Sequence, residues 1–172
     1  MGGFDPYSSS KGSAELAISS YRNSFFQETN KNIASGREGN VIGGGDWSPF
    51  RIVVDLVNAI EQNIPLEIRS PHAVRPWQHV LEPLGGYLLL GAKMMDEPGA
   101  YTEAWNFGPE QQNICNVKNL VSEIINQWGQ GECKDVSANE AKHEAKLLSL
   151  DISKARFNLN WQPVLDLQKT IV

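Results

Sequence analysis

Asp5-Pro6-Tyr7-Ser8-Ser9-Ser10-Lys11-Gly12-Ser13-Ala14-Glu15 carries a helix-start signal and leads into the pattern that sets the fold class. Asp5 is a capping carboxylate, and Pro6 suits the first helical position, where its missing N–H would have no partner anyway. Behind it, Ala14, Ala17, Ile18, Tyr21 and Phe25 recur at helical spacing, which predicts one amphipathic helix over residues of about 6 to 28. Residues 33 to 42 then predict a strand, broken by Gly43-Gly44-Gly45.

Working outward, Ile52 or Val53, Leu56, Val57 and Ile60 predict a second helix, stopped by Asn63 and Pro65. Leu66-Glu67-Ile68 and Trp77-Gln78-His79-Val80 read as short strands. Glu82-Pro83 opens a third helix bearing Leu84, Tyr87, Leu88, Gly91 and Met94. Trp105-Asn106-Phe107 is a strand ended by Gly108-Pro109, and Asn116 caps a fourth helix with Leu120, Val121, Ile124 and Ile125 on one face. Residues 147 to 150 predict a strand, Asp151 caps a short helix, and one more helix starts before Val172. Strands alternating with helices indicate an α/β protein with a largely parallel sheet. The strand count is low for a complete doubly wound fold, and no glycine-rich strand–turn–helix of the dinucleotide-binding kind occurs. Gly43-Gly44-Gly45 follows a strand, but it lacks G-x-G-x-x-G and no helix continues from Asp46-Trp47-Ser48-Pro49, so it reads as a turn.

The chain has 172 residues, 41% hydrophobic and 20% charged, a globular composition of about one domain. A net charge of -5 gives no sign of nucleic-acid or anionic-membrane binding. Glycine and proline are spread evenly, and no repeat is present. No apolar run approaches a membrane span, and no secretory leader is apparent, so Cys115 and Cys133 read as free thiols in a reducing cytoplasm.

Tyr7 and Lys11 form the strongest chemical pair. Four residues apart on a helix, their side chains share one face a turn apart. An ammonium beside a phenol favours the phenolate, which suits a general base that takes a hydroxyl proton while hydride leaves the adjacent carbon. Y-x-x-x-K alone is a weak pattern, since tyrosine and lysine meet at this spacing in many helices.

The surrounding segments make it specific. The stretch Asp5 to Glu15 resembles the active-site helix of extended short-chain dehydrogenases/reductases, the NAD-dependent epimerase/dehydratase family that acts on nucleotide sugars. Arg37-Glu38-Gly39-Asn40-Val41-Ile42-Gly43-Gly44-Gly45-Asp46-Trp47 is similar to that family's R-x-x-N-V-x-G-P segment, in the G-G-G-D-W form typical of its CDP-glucose 4,6-dehydratase branch. Pro71-His72-Ala73-Val74-Arg75-Pro76-Trp77-Gln78-His79-Val80 resembles the same branch, where other members carry R-D-W or R-D-Y. Trp105 to Pro109, His143-Glu144-Ala145, Leu150 to Ala155 and Leu159-Asn160-Trp161-Gln162-Pro163 complete a series in order along nearly the whole chain.

The resemblance implies the C-terminal part of a Rossmann-like doubly wound parallel sheet plus a smaller mixed α/β substrate-binding domain. Residues 1–46 would be a remnant of the NAD-binding domain and 47–172 mostly substrate-binding domain, with segments returning to the sheet. Tyr7 would be the base for the sugar 4-hydroxyl, and Lys11 would hold the nicotinamide ribose of NAD. Asn40 and Arg75 would bind the diphosphate of CDP-glucose, the arginine through its planar fork of donors, with Arg51 a further nucleotide contact. The implied reaction oxidises the sugar at C4, eliminates water across C5 and C6, and returns hydride to C6, giving a 4-keto-6-deoxy sugar for polysaccharide synthesis. Family members commonly form homo-oligomers through helices including the one that carries Tyr7. In the family the glycine-rich loop, the elimination residues and the Ser/Thr partner of the tyrosine precede this helix, so the chain alone is expected to be inactive and to derive from an incomplete reading frame. An unpaired strand edge would leave it marginally stable or self-associating.

Plainer readings stand beside these. Arg37 is equally a solvated or ion-paired strand residue. Arg51 could simply start the second helix. His72 and His79 lack a third ligand and suit structural hydrogen bonding better than zinc, and His143 has no partner set either. Trp77 and Trp161 read as core or interface anchors, and neither cysteine has the basic neighbours of a nucleophile. A dTDP-glucose dehydratase, a sugar epimerase and a non-catalytic nucleotide-sugar-binding remnant are the rival functions.

Overall fold

The computed structural model describes residues 5–29, 31–137 and 147–172; the His143-Glu144-Ala145 segment lies outside them. The first helix, α1 (Pro6–Tyr21), begins as the sequence predicts. Asp5 accepts from the Ser8 N–H at 3.0 Å, and the Ser8 hydroxyl returns a bond to the Asp5 backbone, a reciprocal cap. The predicted run to residue 28 is not uniform. At Arg22–Phe26 the chain loosens into a π-helical turn. None of the described residues of α1 is buried.

The strand expected over residues 33 to 42 is two strands, β1 (Ser35–Glu38) and β2 (Asn40–Ile42). Gly39 lies between them, at a point where a Cβ would overlap Pro76 and only glycine fits. After α2 (Ile52–Glu61) come β3 (Leu66–Ile68), β4 (Val74–Arg75), β5 (Trp77–His79), α3 (Leu81–Asp96), β6 (Ala104–Phe107), β7 (Cys115–Asn116), α4 (Val117–Trp128), β8 (Cys133–Asp135), α5 (Ser153–Leu159) and α6 (Leu167–Ile171). β1 pairs with β6, β2 with β5 and β3 with β8, all parallel, while β4 and β7 pair antiparallel. The α/β class and the parallel bias follow the sequence reading.

Several elements depart from it. Residues 147 to 150 are not a strand; Leu147 makes a single parallel bridge to Val74. α3 starts one residue before Glu82, with Val80 at its cap position. Asp151 accepts from the Ser153 N–H at 2.8 Å, but the residue at the cap position of α5 is Ile152. Asn116 does cap α4, accepting from the Asn119 N–H.

Two apolar clusters hold the fold. One packs Leu56 and Ile60 of α2 against Leu66, Ile68, Trp77 and Leu120. Leu56 and Leu120 are fully buried, each worth roughly 1.5–3 kcal/mol. The other centres on Phe107, whose ring meets Trp161 edge-on at 5.0 Å, with Trp105, Ile152 and Leu159 around it. Trp161 is thus the core anchor the sequence suggests. The first cluster forms the floor under the main cavity.

Candidate active site

The cavity measures about 870 Å³ and lies between the ends of β2, β3, β4 and β5 and the start of α2. Its position follows from local sequence. Asn40 opens β2, and the parallel ladder sets it opposite Trp77 of β5. Gly43-Gly44-Gly45 turns the chain away, with Gly45 at φ 82°, and the loop to Arg51 forms one wall. Asn63 at φ 53° ends α2 and lets the chain return into β3, which carries Glu67 and Ile68 on another wall.

Tyr7, Asn40, Arg51 and Arg75 all line this cavity, although they are far apart in sequence. Tyr7 is 72% exposed at its edge. Lys11 is not on the wall; its Nζ stands 5.3 Å from the centre of the Tyr7 ring, as a one-turn separation allows. Arg51 pairs with Asp46 at 3.8 Å. Asp46 has its carboxyl held below the usual range, chiefly by the Ser48 backbone N–H and side chain and also by Arg51. The Arg75 Nη1 donates to the Val74 carbonyl at 2.9 Å, which fixes part of its fork. The wall therefore combines the guanidinium groups of Arg51, Arg69 and Arg75, a carboxamide and an exposed phenol with the carboxylates of Asp46, Asp55 and Glu67, and the guanidinium groups suit a polar, anionic ligand.

Other candidates fall elsewhere. Arg37 pairs with Glu15 of α1 at 3.8 Å, the ion-paired role that sequence allowed. His79 accepts the Leu81 N–H through Nδ1 at 3.2 Å and helps start α3. Cys115 is half-buried and its thiol is pushed up by burial; Cys133 is exposed, and neither is paired.

Sequence reasoning missed two features of the wall. Trp47 and Phe50 are large exposed aromatics at the rim, with Phe50 held at φ 66°. Trp77, read as a core anchor, is both core and wall. Its place two residues after Arg75 was the available signal, since alternate residues of an extended segment share a face.

No protein-family model matches the chain. Over 99% of its length it is 43% identical to CDP-glucose 4,6-dehydratase of Salmonella typhimurium, covering 49% of that protein. Among solved structures it superposes on dTDP-glucose 4,6-dehydratase from Bacillus anthracis in complex with NAD at a TM-score of 0.76, with 21% identity over 97% of this chain and 51% of the other. UDP-glucuronic acid 4-epimerase from Bacillus cereus, in complex with UDP-glucuronic acid and NAD, gives 0.75, with 19% identity over 97% and 50%. The chain is α/β and shares the fold of about half of each of these structures. The chain spans about half the length of the curated relative it matches, and the part matched is the C-terminal half of the Rossmann-like epimerase/dehydratase fold. The resemblance read from Tyr7-x-x-x-Lys11, the G-G-G-D-W segment and the R-P-W-Q-H segment thus has a counterpart in overall sequence identity and in fold.

Proposed function

We propose that this chain supplies the substrate-binding half and the tyrosine helix of an NAD-dependent CDP-glucose 4,6-dehydratase. The observation that carries the reading is the single cavity onto which Tyr7, Asn40, Arg51 and Arg75 converge. The 43% identity to a CDP-glucose dehydratase, against 19–21% to the epimerase and the dTDP-sugar enzyme, favours that branch over its rivals. Residues 1–46 belong with the NAD-binding domain in this reading and 47–172 mostly with the substrate domain. The enzyme works in the cytoplasm, supplying a deoxysugar for polysaccharide synthesis, in keeping with its two unpaired thiols.

Tyr7 and Lys11 fit the nicotinamide ribose of NAD, being adjacent and accessible, with Tyr7 at the cavity edge and Lys11 beside it. Held there by Tyr7 and Lys11, the cofactor would supply the acceptor for hydride from the sugar C4 and the donor for its later return. The chain's own residues do the rest of what this half performs. The Tyr7 oxygen takes the proton of the 4-hydroxyl, and the Lys11 ammonium favours the phenolate form. Asn40 and the guanidinium of Arg75 hold the diphosphate, which fixes the sugar against Tyr7. Arg51, released from Asp46, adds a second cation to the same anion. No glycine-rich strand–turn–helix occurs among the described residues, so none of them supplies the dinucleotide-binding turn for the adenosine half of NAD.

Thermal melting tests the reading. A ligand at about 100 times its Kd that binds only the folded chain adds about 2.7 kcal/mol of stability. CDP-glucose should therefore raise the melting temperature by several degrees, and Asn40→Ala and Arg75→Ala should each shrink the rise. An unmoved transition in the unsubstituted chain would reject a nucleotide-sugar site.

A further inference from the structure

The indole N–H of Trp77 is buried and has no acceptor among the described residues. Trp77 is only 6% exposed and packs in the cluster under the cavity, yet it also forms part of the cavity wall. A buried donor without a partner is costly, and native structures carry few of them without a reason. An indole nitrogen can only donate, so what completes it must be an acceptor. The carboxylates of Asp46, Asp55 and Glu67 share the wall, but none accepts from it.

The neighbours of Trp77 narrow the choice of acceptor. Asn40 is its direct partner in the β2–β5 ladder, so both side chains leave the same face of the sheet. Arg75 lies two residues earlier, and all three line the cavity. A carboxamide, a guanidinium and an indole N–H together form a sector rich in donors, and the chemistry that satisfies several donors at once is an oxyanion.

We infer that the Trp77 indole N–H donates to a phosphate oxygen of a nucleoside diphosphate seated between Asn40 and Arg75. The inference rests on the reading of the cavity as a nucleotide-sugar site and assigns one more residue to it. Trp77 acts as a binding residue, and its place in the packed cluster with Leu56 and Ile68 holds the ring in position before the ligand arrives. It favours ligands with a diphosphate over the bare nucleoside.

The test is nuclear magnetic resonance of the ¹⁵N-labelled full chain, which gives an indole N–H signal for each of its five tryptophans. Trp77→Phe assigns the relevant signal by its loss. If that variant fails to fold, the sulfur isostere benzothienylalanine at position 77 keeps the ring volume and removes only the N–H. On titration with CDP or CDP-glucose, the Trp77 indole proton should move downfield and exchange more slowly with solvent, and cytidine should leave it in place. Removing the N–H should weaken CDP binding about tenfold or more, as expected for a hydrogen bond to a charged group. If CDP shifts other signals and leaves Trp77 unchanged, the inference is overturned while the nucleotide site stands. If CDP shifts nothing, both fall.

Discussion

Glu82 and Arg75 show how single side chains shape this molecule, one by holding the fold and one by facing the cavity. The buried Glu82 carboxylate accepts from the Val164 N–H at 3.0 Å and the Leu165 N–H at 2.6 Å, which ties the segment before α6 to the start of α3. Glu82→Ala would strand two backbone donors and should cost about 2–4 kcal/mol, with Glu82→Gln recovering part of it because one acceptor oxygen remains. Urea denaturation of the two variants measures this, and equal midpoints would contradict it. Arg75 was legible in sequence through its segment, but the partners of Glu82 were not, because they lie more than 80 positions away along the chain. The same limit hid the role of Trp77. Its apolar ring reads as core, and only the ladder opposite Asn40 and the missing acceptor reveal its second role.

Helices with a strong apolar period, α2 and α4, were legible because their buried faces recur at helical spacing. The two-residue strands β4 and β7 and the exposed β8 were not, since alternation cannot be seen over so few residues and nothing apolar marks β8. Residues 147 to 150 look like a strand for the opposite reason, being mostly apolar yet making only the Val74 bridge among the described residues. α3 offers a sharp test of packing against propensity. A Cβ on Gly86 would overlap the fully buried ring of Phe107, whereas one on Gly85 meets nothing within 4 Å. Gly86→Ala should lose about 1–3 kcal/mol, and Gly85→Ala should gain about 0.5–1 kcal/mol from helix propensity. A shared sign in thermal melting would contradict this. Carboxylates at the starts of three helices set the acid limit. Asp5, Asp151 and Asp166 have carboxyls held below their ordinary value, with bonds to Ser8, Ser153 and Lys169 as the largest causes. Because the folded values are depressed, the stabilisation is fully present above about pH 3.9 and fades as pH falls through the lower folded values. The melting temperature should thus fall below about pH 4, and Asp166→Asn should flatten that fall.

At the scale of the whole molecule, β1 pairs only with β6 among the described residues, and α1 with the π-helical turn after it flanks the strand, leaving Leu16, Tyr21 and Phe25 exposed. On α3, Leu81, Leu84, Leu88 and Met95 form a second exposed apolar row. An open strand edge between two such helices favours association. Sedimentation velocity of the isolated chain should give a coefficient that rises with concentration, and a constant monomer value would contradict the prediction. The Rossmann-like class was legible because ordered motifs spanned the chain, even though the sheet itself appears here only as separate strand pairs. We propose that the cavity lined by Tyr7, Asn40, Arg51 and Arg75 is a working nucleotide-sugar site. Calorimetric titration of CDP-glucose into the purified chain tests it most directly. Saturable binding to one site is expected, weakened about tenfold to a hundredfold by Arg75→Ala, the range for hydrogen bonds to a charged group. A chain that unfolds cooperatively on heating yet shows no binding of CDP-glucose would contradict it.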